Sequence, residues 1–121
     1  MEKTAQTKRL LETDYKGFGE KANWESVLAD DFIFVMNDAP PLVSKQAYIE
    51  MIKDFSKTFQ TMRVQRMIIE GNNACVIGNY DYVFENGKTT NGNVAEIWTA
   101  KDGKLQSLTI YFNSLLFQQN S

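Results

Sequence analysis

The sequence contains no histidine, so any proton transfer near neutral pH falls to carboxylates, tyrosines or lysines. Every Ser-His-Asp and Cys-His arrangement is excluded with it, as is the commonest nitrogen ligand for a metal. Among the carboxylates, Glu96 alternates with Val94 and Trp98 in a strand-like run. Facing an apolar cavity, it would lose hydration, its pKa would rise and it would stay protonated. On the opposite face it would be an ordinary exposed carboxylate with a cross-strand cation, and alternation allows both. Arg66, Asn79, Asp81, Asn91 and Asn93 also lie in strand-like runs. They serve either as pocket groups or as solvated residues paired across strands. Asp30-Asp31 offers oxygen ligands but lacks the glycine and further acids of a calcium loop, so it reads as a helix end leading into a strand. No metal or cofactor is implied.

These residues need elements to hold them. Leu11, Tyr15 and Phe18 recur at i, i+4 and i+7, one face of a helix from about Thr4 to Phe18 that Gly17 and Gly19 end. Asn23 is a good N-cap for a short second helix, Trp24 to Leu28, with Trp24, Val27 and Leu28 on one side. Phe32 to Met36 is short and β-rich, a buried strand that Asn37-Asp38 ends and Pro40-Pro41 bars from continuing. Ser44 caps a third helix with a stripe of Tyr48, Met51, Ile52, Phe55 and Phe59.

From Gln60 the pattern changes to alternation. Met62, Val64 and Ile68 form a strand up to Gly71-Asn72-Asn73, and a second runs from Ala74 to Phe84. Asn86-Gly87 is a strong hairpin signal. A third strand runs from Thr89 to Ala100, with Gly92 a candidate bulge. After Lys101-Asp102-Gly103 comes the last, Lys104 to Phe112, then a tail that docks through Leu115, Leu116 and Phe117. Helices followed by a meander of long strands predict an α+β fold, a curved antiparallel sheet with three helices on its concave face, forming a cone around a pocket.

At 121 residues the chain supports a single domain, 1–121. Thirteen Lys and Arg against fifteen Asp and Glu give a net charge of −2 with no basic stripe, which argues against nucleic acid as a partner. No apolar run approaches the roughly 20 residues of a membrane span, and the first residues lack the apolar core of a signal peptide. The lone Cys75 excludes an internal disulfide framework and reads as a small core side chain. These features fit a cytoplasmic, reducing compartment.

Three stretches resemble the nuclear-transport-factor-2-like superfamily, in particular its small bacterial members related to SnoaL-like polyketide cyclases and ketosteroid isomerases. They are Asn23-Trp24-Glu25-Ser26-Val27-Leu28-Ala29-Asp30-Asp31-Phe32, the helix beginning at Ser44, and Glu96-Ile97-Trp98-Thr99-Ala100-Lys101-Asp102-Gly103-Lys104-Leu105 with Tyr111-Phe112. The resemblance covers Leu11 to Phe112. It implies the cone-shaped fold but no particular reaction, because this superfold hosts isomerases, cyclases, hydrolases, dehydratases and plain binding modules.

Carried onto this chain, the isomerase branch suggests three residues. Tyr15 matches the oxyanion tyrosine, Glu96 the acidic oxyanion partner (a gap placed elsewhere puts Ala95 there), and Asp38 the base if its loop is two residues longer; strict counting puts Met36 there. A packed tyrosine and a solvated loop carboxylate are the plain alternatives for Tyr15 and Asp38. Trp24, Phe34, Tyr48, Phe55, Trp98, Leu108, Ile110 and Phe112 would line the pocket, filling the core at the same time. Ile97 and Tyr111 leave the second sheet face apolar, and the resemblance implies a homodimer across it. The reading is a binder of an apolar or partly polar small molecule. The alternatives are an isomerase-like or cyclase-like enzyme with a carboxylate base, and an interaction module with a filled cone.

Overall fold

The computed structural model describes residues 2–19, 24–55 and 57–113. Helix α1 (Glu2–Gly19) leads to a 3-10 turn at Glu25–Val27, strands β1 (Leu28–Met36) and β2 (Leu42–Val43), and helix α2 (Lys45–Phe55). Strands β3 (Phe59–Glu70), β4 (Asn73–Val83), β5 (Thr89–Lys101) and β6 (Lys104–Phe112) follow. They form one curved sheet in the order β2-β1-β6-β5-β4-β3.

The layout of the elements departs from expectation in two ways. The short second helix is only the 3-10 turn, since its five residues cannot repay the cost of nucleating an α-helix while the following segment is drawn into β1. Among the described residues, two α-helices therefore cover the sheet instead of three. The sheet is also mixed, because β6 lies parallel to β1, with Phe34 opposite Leu108 and Met36 opposite Ile110. Hairpin turns dictate the antiparallel meander from β3 to β6, but no local turn governs the neighbour that β1 takes much later in the chain.

The reversal after β1 rests on Asn37, whose positive φ of 50° suits its short polar side chain. Its N–H donates to the Ile110 carbonyl at 2.9 Å, and its Oδ1 accepts the Phe112 N–H at 3.1 Å. The chain then adds β2 as an edge strand. Ser44 caps α2 through its Oγ, which accepts the Ala47 N–H at 3.1 Å. Tyr48 and Ile52 are buried on one face of α2, with Met51 and Phe55 half-buried. Phe59, assigned to this stripe by periodicity, belongs to β3.

Helix α1 buries Thr7, Leu11 and Asp14, again at i, i+4 and i+7. Its first half is tied to the β3–β4 turn, where Thr7 donates to the Gly71 carbonyl at 2.7 Å and the Gly71 N–H donates to Thr4 at 2.9 Å. Curvature comes from register shifts in β3, between Phe59 and Thr61 and between Val64 and Arg66, and in β5 at Thr99/Ala100. Gly92 is not a bulge. It pairs in regular register with Tyr80. Beside the second β3 shift lies Gly78, where an added Cβ would come within 3.3 Å of the Arg63 carbonyl.

The core between helices and sheet is built on Leu11, Phe32, Val76, Trp98, Leu105 and Leu108. A second cluster holds Tyr80, Tyr82, Phe84 and Val94. Cys75 is not part of either. Only half-buried, it alternates with the buried Ala74 and Val76 and so falls on the outer face, where it pairs with Ile68 and Ile97. The expected caps and contacts at Asn23, Leu115, Leu116 and Phe117 lie outside the described residues.

Candidate functional site

Glu96 projects from the middle of β5 toward the helices and is 3% exposed. Its Oε1 accepts the hydroxyl of Tyr15 from α1, in a short hydrogen bond. Oε2 accepts the hydroxyl of Tyr80 from β4 at 3.1 Å. Two residues along β5, Trp98 donates its indole N–H to the Tyr15 oxygen at 2.9 Å. Because an indole can only donate, the order is Trp98 to Tyr15 to Glu96, leaving the carboxyl as acceptor at the end of two tyrosine donors. The Trp98 and Tyr15 rings also meet edge to face, with centroids 6.0 Å apart.

Burial pushes the Glu96 carboxyl up to about 7, against the pull of the Tyr15 and Tyr80 hydroxyls, which favour the ionised form. The same loss of hydration, and the nearby Glu96 charge, raise Tyr15 and Tyr80 well above the ordinary tyrosine range. Both tyrosines therefore remain donors.

Asp14 precedes Tyr15 on α1 and is 5% exposed. Its Oδ1 is buried without a hydrogen-bond partner among the described residues. Burial first, and the Glu96 charge second, hold its carboxyl well above the usual carboxylate range. Its presence was readable in principle, as a carboxylate three residues after Leu11 on the inward face of a helix. The stripe of Leu11 and Tyr15 by itself centres the apolar face slightly to one side of Asp14.

These groups bound a cavity of about 570 Å³ between α1, α2 and the inner sheet face. Phe34, Tyr48, Phe55, Trp98, Leu108, Ile110 and Phe112 line it, as do Tyr15 and Glu96. Trp24 does not. It is buried in the core, edge-on to Tyr48 at 5.9 Å. Asp38 is also outside the lining; it is exposed in the turn after β1, and Met36 faces the cavity instead. The structure thus brings Tyr15 and Glu96 together and leaves Asp38 apart. Tyr80, which sequence reasoning missed, could have been found from its parity with Ala74, Val76 and Tyr82, all on the buried face of β4.

The other polar candidates occupy the outer face. Arg63 donates to Asn79 at 3.0 Å and to Asp81 at 2.6 Å, and Asn91 donates to both at 2.7 Å. Asn79 donates in turn to Asn93 at 2.8 Å, completing an exposed cross-strand network. Arg66 is exposed nearby on β3. Among the described residues, no three metal-ligating side chains cluster, and no helix is long and apolar enough to cross a membrane.

Residues 18–108 match the model of the SnoaL-like domain. The chain belongs to this family. Its fold is shared with a putative SnoaL-like polyketide cyclase from Jannaschia sp. CCS1, at a TM-score of 0.85 and 14% identity over 97% of this chain and 92% of that one. TerC, co-crystallised with polyporic acid, gives 0.81 and 17% over 95% and 97%. An LEH-like epoxide hydrolase from M. tuberculosis gives 0.79 and 12% over 95% and 89%. At such identities the likeness of this SnoaL-like domain to its neighbours is one of fold. No match was found among curated protein sequences.

Proposed function

We propose that this SnoaL-like domain binds a mostly apolar small molecule in the cavity between α1, α2 and the sheet. One observation carries the reading: an aromatic and aliphatic cavity of about 570 Å³ converges on a single buried polar cluster, Tyr15, Tyr80, Asp14 and Glu96. Binding sites combine such a volume and apolar wall with a few polar groups that orient the ligand. The open cavity also argues against an interaction module with a filled cone. TerC, a fold relative co-crystallised with polyporic acid, lends support.

The test is titration with N-phenyl-1-naphthylamine, a neutral apolar probe whose emission rises on leaving water. Saturable one-to-one binding is expected. Ile110→Trp, which fills the cavity from β6, should abolish it while the far-UV circular dichroism is retained. A probe that fails to bind, or that binds the filled variant equally well, would sink the reading.

A catalytic version is favoured by the pKa of about 7 at Glu96, which suits a group that both takes and gives a proton near neutrality. In this version Glu96, supported by Tyr15, exchanges a proton next to a ligand carbonyl. Asp38, the base suggested by family resemblance, is retained as the rival. Deuterium uptake from D2O into 2-decalone, followed by NMR, separates them: loss in Glu96→Gln alone supports the cavity carboxyl, whereas loss in Asp38→Asn alone supports the loop.

We also propose a homodimer across the outer sheet face. There Ile68, Cys75, Ile97 and Thr109 form one cross-strand row, and Ile77, Ala95 and Tyr111 the next. Ile68, Ile97 and Tyr111 are 52%, 44% and 48% exposed, a grouping that a second copy would cover. Light scattering should give a dimer mass, reduced to the monomer in Ile97→Glu. A monomeric parent chain would refute this arrangement.

A further inference from the structure

The cavity is electrostatically one-sided. Asp14 and Glu96 both face it, the Glu96 charge adds to the cost that burial puts on ionising Asp14, and Asp54 is a further acid in its lining. No lysine or arginine lines it among the described residues. The Asp54 carboxylate is exposed and already paired with Lys57 at 3.6 Å, so it does not offset the inner pair. Glu96 has two tyrosine hydroxyls as donors, whereas Oδ1 of Asp14 has no donor at all among the described residues. A buried carboxyl oxygen without a partner carries its full desolvation cost, and a charge buried without a counter-charge costs more still. Tyr48 and Trp98 bound the same space, and aromatic faces attract cations.

We propose that the ligand is an organic cation, a protonated amine on a mostly apolar body, whose ammonium group donates to Oδ1 of Asp14 beside Glu96 while its hydrocarbon part lies along the aromatic wall. This rests on the small-molecule reading above and narrows its ligand class. The ammonium supplies both missing components, the donor that Asp14 lacks and the positive charge that the two acids lack. An anionic ligand would meet two carboxyls and no cation. A neutral alcohol would satisfy Asp14 but leave the paired acids uncompensated.

Amine binding therefore drives proton loss from the acids. The titratable groups facing Glu96 and Asp14 are Tyr15 on the same helix, Tyr48 on α2, and Tyr80 and Tyr82 on β4. All four tyrosines are pushed above their usual range, so the proton comes from a carboxyl.

The experiment is calorimetric titration of the full chain with three probes sharing one naphthalene body: 1-naphthylmethylamine, 1-naphthalenemethanol and 1-naphthoate. At pH 7.5 the amine is expected to bind about tenfold or more tighter than the alcohol, and the naphthoate weakest of the three. Repeating the titration near pH 6 in buffers of different ionisation enthalpy should show proton release with the amine and none with the alcohol. Asp14→Asn, an isosteric change that removes an uncompensated acid, should fold and should bring the affinity for the amine down toward that for the alcohol.

Equal binding of amine and alcohol, or tightest binding of the naphthoate, overturns the cation proposal and leaves the small-molecule reading intact. Amine binding without proton release near pH 6 also overturns it, and that measurement needs no variant. Failure of all three probes to bind overturns the proposal together with the reading it rests on.

Discussion

Tyr15 and Glu96 lie 81 residues apart in sequence and share a hydrogen bond that joins the first helix to the fifth strand. Both residues line the cavity, as does Asp14 beside Tyr15. The bond also sets the terms on which Glu96 ionises, because the buried carboxylate depends on Tyr15 and Tyr80 for solvation that water no longer supplies.

Stability should therefore fall as pH rises through the weakly acidic range. Glu96 moves from an ordinary 4.5 to about 7 on folding, so between these values the native state holds a proton that the unfolded state has lost. The native form binds more protons in this window, and the slope of unfolding free energy with pH is negative. The full effect is about 3 kcal/mol, complete once pH exceeds about 7. Asp14, raised for the same reason, acts in the same direction. Asp81, lowered by Arg63 on the exposed outer face, acts oppositely but at lower pH. Denaturant unfolding from pH 4.5 to pH 8 should show the decline, with a shallower slope in Glu96→Gln. An identical slope in the variant would count against the Glu96 assignment.

Tyr15→Phe removes the donor to Glu96 and the acceptor of the Trp98 indole while leaving the ring in place. The two lost hydrogen bonds should cost about 1–3 kcal/mol at neutral pH, measured by urea unfolding. Because the Tyr15 hydroxyl lowers the Glu96 pKa, its removal should move carboxyl titration above the parent value of about 7. Carbon-13 NMR of the labelled glutamate reads this directly. Tyr80→Phe should shift the titration in the same direction by less, since the Tyr15 bond is the stronger influence. An unchanged titration in both variants would show that neither hydroxyl solvates the carboxylate.

Gly87 closes the β4–β5 hairpin at a φ of +81° with open space around its missing Cβ. Its N–H donates to the Phe84 carbonyl at 2.9 Å. Gly87→Ala should thus carry a purely conformational cost of about 1 kcal/mol, lowering the melting temperature by roughly 3–5 °C. The probe-binding behaviour should be preserved, because the turn is remote from Glu96. A larger loss would mean that the turn contributes more than its backbone conformation.

Much of the scaffold was legible from local chemistry. Asn86-Gly87 and Lys101-Asp102-Gly103 turn the chain because glycine, and at 102 aspartate, accept a positive φ, observed at Gly87, Asp102 and Gly103. The strands between them follow from alternation, and β6 runs from Lys104 to Phe112 as the pattern predicts. The stripe of Tyr48, Met51, Ile52 and Phe55 specifies α2, and the absence of histidine limits proton chemistry to carboxylates, tyrosines and lysines. These features depend on neighbours a few residues away, so the sequence carries them explicitly.

Tertiary structure decided the faces and partners. Alternation places Glu96 and Trp98 together but does not say which side of β5 is covered, because Ile97 and Tyr111 make the other side apolar as well. Packing of α1 against the sheet resolves this, directing Glu96 inward and Cys75, Asn79 and Asp81 outward. Likewise, the parallel pairing of β1 with β6 and the separation of Asp38 from Tyr15 depend on contacts between distant segments. Local periodicity thus specified which residues share a face, while long-range packing determined which face became the wall of a cavity.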